Sequence, residues 1–381
     1  MSEIPKKIIY IANIRLPTEK AHGIQVMEMC SAFANKGDEV TLVVPRRKNH
    51  IDKDPFQYHD VKENFRIFKL PCINSLALGK IGHIIQTASF AFFAALFSLI
   101  KTNHIFYTRD EMVAVCLRML GKTVAWEGHG GEKNIVVRMA ILLRVKMVMI
   151  SAGLKDLYIG MGVSEKNILV APDAADIDRF DIEISRAEAR AKLGLPSDKK
   201  IVLYKGGMFA WKGPGTLAQA FPHMKHQEAL IVFIGGVEND VIAFKKEFGH
   251  MSNLLILGNR PRQETPVYQK AADVLIIPNS AKEDISKLYT SPMKLFGYMA
   301  SGRPIIASNL PSIREILNET NSHFFTADDA LSLAHSIDAV LDNYSEAEKR
   351  AEKALHEVQV YSWKNRAQSI LEFIGGVNKS N

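Results

Sequence analysis

The sequence predicts an α/β protein with two doubly wound parallel-sheet domains. Its 381 residues exceed what one ordinary hydrophobic core holds, so we expect two domains. A strand, a loop, a helix and a second strand follow one another between the apolar runs IIYIAN and EVTLVVP near the start. The same alternation begins again with the run KIVLYKGG near residue 200. Each repeat is the crossover unit from which doubly wound sheets are built.

The composition is that of a globular protein with reduced thiols. Hydrophobic residues make up 47% of the chain and charged residues 23%, which excludes a disordered chain. Cys30, Cys72 and Cys116 lie far apart in apolar surroundings and lack metal-binding spacing, so they predict buried thiols and no metal site. Lys6 and Lys7 lead straight into a short apolar run, unlike a secretory signal, and we expect a cytoplasmic protein.

Charge is distributed unevenly along the chain. Residues 1–150 contain 21 Lys+Arg and 13 Asp+Glu, a net charge of +8, whereas the remaining residues carry −1. This asymmetry predicts an anionic partner for the first domain, either an anionic membrane surface or an acidic acceptor. Charge that serves only solubility is the alternative. Nucleic acid is not expected as a partner, because the sequence has no recognition module and no interleaving of basic and aromatic residues.

In the first domain, candidate residues follow the ends of predicted strands, where ligands of doubly wound sheets collect. Gly23 ends the loop 14–23 and begins a helix, so its backbone would be able to approach a phosphate closely. Glu127 and His129 follow the strand TVAWEG. We expect His129 to hydrogen-bond a substrate hydroxyl with Glu127 orienting it, and the alternative is a polar loop with a structural histidine.

Residues 84–100 carry no charge over 17 positions, between His83 and Lys101. This length is at the short limit for crossing a bilayer, and the segment lies between α/β units. The favoured interpretation is a helix buried between the sheet and neighbouring helices. A helix that dips into a membrane surface and a true span remain the alternatives.

In the second domain, the strand KIVLYKGG leads into a glycine-rich turn. Gly206 and Gly207 free the backbone from side chains, and Lys212 provides a point charge suited to phosphate oxygens. Arg260 lies in a turn after the later strand NLLILG. These positions predict a phosphate site at the end of the first strand of this domain.

The segment 289–315, YTSPMKLFGYMASGRPIIASNLPSIRE, predicts a helix followed by a buried strand. Ser291 is a good N-cap, and Pro292 suits the first helical position. Lys294 would lie in the first turn, where its charge opposes the helix dipole. A cation in that place indicates a nearby anion, and the alternative is a solvated lysine on an amphipathic helix.

This segment resembles the donor site of retaining glycosyltransferases of the GT-B fold, the large family that includes sucrose synthase and many bacterial polysaccharide and lipid-sugar transferases. One branch reads Tyr-Thr-Ser-Pro-Leu-Lys-Leu-Phe-Glu-Tyr-Met-Ala-x-Gly, which residues 289–302 match closely. Residues 204–213 resemble the branch pattern Tyr-x-Gly-x-Leu-x-Pro-Trp-Lys-Gly. WEGH at 126–129 and YTRD at 107–110 resemble two further signatures, and PTEKAHG resembles the family's first loop.

The resemblance covers nearly the whole chain and implies two Rossmann-like domains with a cleft between them. Residues 1–182, joined by a C-terminal helix 362–381, would form the acceptor-side domain. Residues 183–361 would form the donor domain. The implied function is transfer of a sugar, with retention of configuration, from a nucleotide-diphosphate sugar to a saccharide or lipid-linked acceptor, by a cytoplasmic enzyme that is peripheral at the inner face of the cell membrane.

The resemblance also assigns roles to single residues. The catalytic candidates are His129 beside the donor sugar, with Lys212 and Lys294 neutralising the leaving diphosphate. Glu127 and Arg109 are candidate orienting residues. The candidate donor-binding residues are Gly23, Gly206, Gly207, Arg260, Ser291, Pro292, Met293 and Gly297. No cofactor is implied, and no divalent cation, because no Asp-x-Asp cluster is in place among these candidate residues to hold one.

One position departs from the family pattern. Gly297 stands where the family has the glutamate that binds the ribose hydroxyls of the donor. Its loss keeps two alternatives open, a catalytically weakened scaffold that binds partners and a nucleotide-sugar epimerase on the same fold. Restoring the glutamate is expected to tighten donor binding if residue 297 faces the ribose.

Overall fold

The structure of the protein is a computed structural model that describes residues 6–75 and 78–375. The chain divides into two compact units. The first unit comprises Met1–Pro172 and Trp363–Asn381, and the second comprises Asp173–Ser362. Residues 376–381 of the predicted C-terminal helix lie outside the described residues.

The first unit is built on a seven-stranded parallel sheet with the order β3-β2-β1-β4-β5-β6-β7. The central strands are almost fully buried, as expected for a parallel sheet covered on both faces. Its strands are β1 (Lys7–Ile11), β2 (Glu39–Pro45), β3 (Arg66–Leu70), β4 (His104–Thr108), β5 (Thr123–Gly128), β6 (Lys146–Met149) and β7 (Ile168–Val170).

Helices connect these strands and cover the sheet. Asp110, Asn134 and Ser151 each cap the N-terminus of the following helix through a side-chain oxygen. The helices are α1 (Ala21–Asn35), α2 (Pro55–His59), α3 (Gly79–Leu99), α4 (Glu111–Met119), α5 (Ile135–Leu142) and α6 (Ala152–Gly160).

The second unit contains a six-stranded parallel sheet with the order β10-β9-β8-β11-β12-β13. Its strands are β8 (Ile201–Lys205), β9 (Leu230–Ile234), β10 (Leu254–Gly258), β11 (Val274–Ile277), β12 (Ile305–Ser308) and β13 (His323–Phe325). In both units the strand order reverses beside the first strand, which is the place where doubly wound sheets bind ligands. The predicted fold class is confirmed.

The helices of the second unit begin with a capping box between Ser185 and Glu188. These helices are α7 (Arg186–Leu193), α8 (Pro214–Ala220), α9 (Glu238–Phe248), α10 (Thr265–Ala271), α11 (Met293–Ser301), α12 (Pro311–Arg314), α13 (Ala330–Asp342) and α14 (Tyr344–Glu357). The last helix, α15 (Trp363–Gly375), follows a short break and belongs to the first unit, where it packs on α1.

The boundary between the units lies earlier than the sequence analysis placed it. Residues 173–182, which we assigned to the first domain, belong to the second unit. The reason is packing, because Ala175 and Phe180 are buried in the core of the second unit together with residues of α11. The chain leaves the second unit at Ser362, close to the predicted crossing point.

The apolar segment 84–100 forms most of α3, and its burial differs from our favoured interpretation. By length and composition, α3 is the one helix among the described residues that would be able to cross a membrane, yet only a third of its apolar stretch is buried. Phe90, Ala94 and Ser98 face the interior. Six large apolar side chains of this helix are exposed. The helix is therefore anchored in the first unit but is not enclosed by it.

Candidate functional site

In the first unit, the candidate site centres on the buried carboxylate of Glu127 at the end of β5. Its Oε1 accepts a hydrogen bond from Gln25 Nε2 at 2.5 Å and lies 2.5 Å from His129 Nε2. Its Oε2 accepts hydrogen bonds from the Tyr107 hydroxyl and from Arg366 Nη1, the latter at 3.1 Å. The carboxylate is thus fully satisfied by groups of the protein itself.

The surroundings of Glu127 determine its charge and that of His129. Burial by itself raises the pKa of the Glu127 carboxyl, but Arg366 and His129 outweigh burial and hold this pKa well below its usual range. Burial, together with the nearby Arg109, lowers the pKa of His129 to about 4. His129 is therefore neutral at pH 7.

The contact with Glu127 also sets the tautomer of His129. A carboxylate only accepts hydrogen bonds, so the proton of the neutral ring lies on Nε2. Nδ1 then carries a lone pair, and the side chain keeps 23% of its surface exposed. Nδ1 of His129 is consequently a hydrogen-bond acceptor, the kind of group that a residue orienting a sugar hydroxyl requires.

Arg109 belongs to the same cluster, and two further members were not foreseen from the sequence. Arg109 Nη1 donates to Gln25 Oε1 at 2.8 Å, so Gln25 links Arg109 to Glu127. Arg366 comes from α15 and also donates to the carbonyl oxygens of Ala171 and Pro172. No local sequence signal connects positions 127 and 366.

Gly23, for which we predicted a backbone role, lies in this unit. Its N–H already donates to the carbonyl of Lys20 at 3.0 Å, inside the first turn of α1. A Cβ at this position would lie 2.5 Å from Thr18 Cγ2 and 2.8 Å from His59 Cε1. Close internal packing is therefore a sufficient reason for glycine here, and approach to a phosphate stays a prediction.

In the second unit, the candidate site centres on Lys294 and Lys212. Lys294 Nζ is buried, has no hydrogen-bond partner among the described residues, and lies 4.5 Å from the ring centroid of Tyr204. Lys212 Nζ lies 5.2 Å from the ring centroids of both Phe209 and Trp211. Aromatic faces hold both ammonium groups, and no carboxylate neutralises either one within the described part of the chain.

Both lysines are electrostatically strained. Burial, together with the charge of Lys212, lowers the pKa of Lys294 well below its usual range. Burial also lowers the pKa of Lys212. Two desolvated cations without a counter-ion are unfavourable in the free protein, and an anion that binds between them removes this penalty. The structure therefore brings together the two lysines that the sequence analysis selected.

The glycines beside these lysines permit close packing of the loop after β8. A Cβ on Gly206 would lie 2.7 Å from the Tyr204 hydroxyl, which donates to the carbonyl of Gly207 at 2.7 Å. A Cβ on Gly207 would lie 2.9 Å from Phe209 and 3.6 Å from Lys212 Nζ. Gly206 and Gly207 thus shape the loop that holds Tyr204 beneath Lys294.

The start of α11 differs from the prediction. The helix begins at Met293 and its N-cap position is Pro292, which has no side chain to cap it. Ser291 Oγ instead accepts a hydrogen bond from the Asp173 N–H at 2.9 Å, so Ser291 attaches the segment 173–182 and does not cap α11. The amides of Met293 and Lys294 lie in the first turn and have no acceptor within the helix.

Gly297 faces an aromatic ring. A Cβ at this position would lie 2.9 Å from Phe180 Cζ, because the segment 173–182 packs on α11. Phe180 thus covers the place that a longer side chain at 297 would enter. This contact reverses our expectation that a glutamate at Gly297 would simply restore ribose binding, since the glutamate would first have to displace the ring.

Two other basic residues, Arg260 and Lys205, lie at or just after the ends of strands in the second unit. Arg260 is exposed after β10. Lys205, which sequence analysis missed, ends β8 directly before Gly206, and its N–H donates to the Tyr298 hydroxyl at 2.7 Å. Burial, with the nearby charges of Arg262 and Arg179, lowers the pKa of Lys205 to about 8. The sequence signal that would have identified Lys205 is its place immediately before a glycine pair at the end of a strand.

Solved structures of other proteins share this fold. A glycosyltransferase from Rickettsia africae superposes with a TM-score of 0.77 at 17% identity and covers 99% of this chain and 100% of its own. The Anabaena protein HepE, solved in complex with UDP-glucose, gives a TM-score of 0.76 at 14% identity over 97% of this chain and 100% of its own. At such identities the likeness shows the GT-B fold.

The family is indicated by the second half of the chain. Residues 185–357 match the family described as glycosyl transferases group 1. A D-inositol 3-phosphate glycosyltransferase from Xylanimonas cellulosilytica is 24% identical over 242 residues, which are 59% of this chain and 55% of that protein. The chain spans little more than half the length of the curated relatives it matches. The predicted resemblance is thus confirmed for residues 185–357, at the level of glycosyl transferases group 1.

Proposed function

We propose that this protein transfers a sugar from a nucleotide-diphosphate donor to a saccharide or lipid-linked acceptor, with retention of anomeric configuration. The observation that supports this proposal is the buried and unpartnered ammonium of Lys294 beside Lys212. A diphosphate leaving group gains negative charge in the transition state, and fixed cations in a water-poor site stabilise that charge most strongly.

The first unit supplies a candidate for holding the donor sugar. His129 is neutral, presents Nδ1 as an acceptor and is fixed by Glu127. In this proposal His129 orients a hydroxyl of the donor sugar, while Glu127, Gln25 and Arg366 keep the ring in place. The oxygen of the leaving diphosphate takes the proton of the acceptor hydroxyl as the new glycosidic bond forms on the same face of the sugar.

The reaction is proposed to need no metal or other cofactor, because the lysine pair supplies the positive charge. The likeness to a protein solved with UDP-glucose favours a uridine nucleotide among the donors to be tested. Gly297 and the Phe180 ring imply that the ribose is held differently from the family pattern.

A catalytically weakened scaffold is a second candidate, and the contact between Phe180 and Gly297 is the observation that favours it. In this case the lysine pair would still bind a diphosphate, but transfer would be slow because the ribose is poorly held. Both candidates predict that the protein binds a nucleotide diphosphate, but only the first predicts efficient transfer of the sugar.

Calorimetry with UDP, GDP, ADP and UDP-glucose tests the common part of both candidates. The wild-type protein is expected to bind at least one nucleotide diphosphate, and Lys294→Met and Lys212→Met are expected to weaken it by about 10- to 100-fold each. Lys287→Met, which removes an exposed lysine just before α11, is the matched control and should bind normally. Failure to bind any nucleotide diphosphate would contradict both candidates.

Donor hydrolysis and transfer assays separate the two candidates. An active transferase consumes the bound nucleotide sugar, and the anomeric configuration of the product, read by proton NMR, reports retention. A protein that binds the donor tightly and consumes none of it is the scaffold.

A further inference from the structure

The outer face of α3 carries an apolar surface that the first unit leaves uncovered. Six large side chains of this helix are exposed: Ile81, Ile84, Ile85, Phe92, Leu96 and Leu99. At 100° per residue they fall within a sector about 120° wide, so they form one stripe along the helix. The opposite side is buried and carries Phe90 together with smaller or polar residues, among them Ala94, Gln86 and Ser98.

An ordinary surface helix turns its apolar stripe to the core and its polar residues to the outside. α3 instead carries large apolar residues on its outer face as well as on its buried side. Scattered exposed apolar residues need no explanation, but a continuous stripe of large ones over several turns indicates a covering partner. The helix itself is firmly held. Phe97 stacks on Phe68 of β3 at 5.2 Å, and Ser75 Oγ donates to the carbonyl of Gly82 at 2.7 Å.

The apolar surface continues onto neighbouring helices of the same layer. α3 packs beside α4, and α4 packs beside α5. Met119 at the end of α4 is exposed, as are Ile135 and Leu142 of α5. The stripe of α3 therefore belongs to a wider outward-facing layer.

Charge identifies the chemistry of the partner. Residues 78–145 contain eight Lys+Arg and four Asp+Glu, and two of the acids, Asp110 and Glu127, are buried. Lys80 is exposed in the first turn of α3, and Lys133 and Arg138 are exposed around the apolar side chains of α5. A layer of large apolar side chains with cations at its margins matches the interface of an anionic bilayer.

We propose that the α3 face is a membrane-docking surface, on which the stripe from Ile81 to Leu99 enters the headgroup region of an anionic lipid bilayer while the surrounding cations contact lipid phosphates. α3 lies in the plane of the membrane and does not cross it, because Phe90, Ala94 and Ser98 remain packed inside the unit. The surface acts independently of the donor site, so its test does not rely on glycosyl transfer.

Vesicle flotation of the full chain tests this surface. The wild-type protein is expected to float with vesicles of phosphatidylcholine mixed with phosphatidylglycerol, and to retain part of this binding at high salt because apolar insertion is not screened. The double variant Phe92→Gln/Leu96→Gln should lower the partition coefficient by about ten-fold or more. These side chains are 58% and 46% exposed, so the variant should fold normally.

Matched controls come from exposed apolar residues of the second unit. Ile242→Gln/Leu331→Gln removes side chains that are 58% and 49% exposed, and it should float like the wild type. Lys133→Gln/Arg138→Gln should weaken binding to the anionic vesicles by about ten-fold and leave the salt-resistant part intact.

A fluorescent probe reports insertion directly. Phe92→Trp should show a blue shift on addition of the anionic vesicles, and Ile242→Trp should not. Wild-type protein that fails to float, a Phe92→Gln/Leu96→Gln variant that floats normally, or an unshifted Phe92→Trp would overturn the proposal. A wild-type dimer that becomes monomeric in the double variant, without flotation in either state, would likewise overturn it and identify the face as an interface between copies.

Discussion

The two candidate sites treat buried charge in opposite ways. In the first unit, the Glu127 carboxylate accepts hydrogen bonds from Gln25 and Tyr107 and is paired with Arg366. In the second unit, the Lys294 ammonium is buried without any hydrogen-bond partner among the described residues, next to a second cation, Lys212. The buried charge of the first site is paired within the protein, whereas the buried charge of the second site is not.

This difference separates a positioning role from a binding role. A buried ion pair with all its hydrogen bonds made holds its members in one geometry, which suits a group that fixes His129. A buried cation without a partner raises the free energy of the unliganded protein, and a bound anion relieves it. Removing charge should therefore destabilise the first site and stabilise the second.

The largest effect is expected from breaking the ion pair of the first site. Arg366→Gln leaves the Glu127 carboxylate buried without its main counter-charge, and the free energy of unfolding should fall by about 3–5 kcal/mol. Denaturant unfolding followed by the fluorescence of Trp126 and Trp363 measures this loss. In the double variant Glu127→Gln/Arg366→Gln both charges are gone, so much of the stability should return; an Arg366→Gln protein as stable as wild type would show that the pair is not buried.

The opposite sign is expected in the second site. Lys294→Met removes an unpartnered buried cation and should raise the free energy of unfolding by about 1–3 kcal/mol. The same substitution should weaken binding of a nucleotide diphosphate by about 10- to 100-fold. Thermal unfolding with and without UDP measures both effects, and Lys287→Met serves as the exposed control. A Lys294→Met protein that is less stable than wild type would mean that the ammonium has a partner.

A smaller effect concerns the contact of Gly297 with Phe180. A methyl group at 297 would meet the ring at 2.9 Å, and such overpacking costs about 1–3 kcal/mol. In a Phe180→Ala background the same Gly297→Ala change should instead stabilise α11 by about 1 kcal/mol, because alanine is the better helix former. The four proteins form a double-mutant cycle. Equal effects of Gly297→Ala in both backgrounds would show that the ring does not occupy this place.

A last effect is the pH dependence that comes from Lys205 at the end of β8. The pKa of Lys205 is about 8 in the folded protein and near 10.4 when unfolded, so below pH 8 both states are protonated and the cost of burying the charge is complete. That cost is relieved as pH rises from about 8 to about 10, and the free protein should gain stability there.

Over the same range the Lys205 ammonium loses its positive charge. The affinity for pyrophosphate should therefore fall as pH rises above about 8, and binding near that pH should be accompanied by proton uptake. Calorimetry in buffers of different ionisation enthalpy measures this uptake, and Lys205→Met should reduce it. Affinity that stays constant between pH 7 and pH 10 would contradict a role of Lys205 in binding.

Local sequence patterns were sufficient to predict much of the second site. The apolar strands, the glycine pair at the end of β8, and the positions of Lys212 and Lys294 are encoded within short stretches, because strand burial and helix starts depend on neighbouring residues. The partners of Glu127 were less accessible. Arg366 lies 239 positions away, and only the return of α15 to the first unit brings it to the carboxylate.

The sequence by itself determined that this chain forms two doubly wound sheets and that lysines stand at the strand ends of the second, since these features follow from local periodicity and turn chemistry. Only the tertiary structure decided which way the apolar stripe of α3 faces, which residue covers Gly297 and what pairs with Glu127. Periodicity reveals that a helix has an apolar side, but the choice of what that side contacts belongs to the packing of segments distant in the chain.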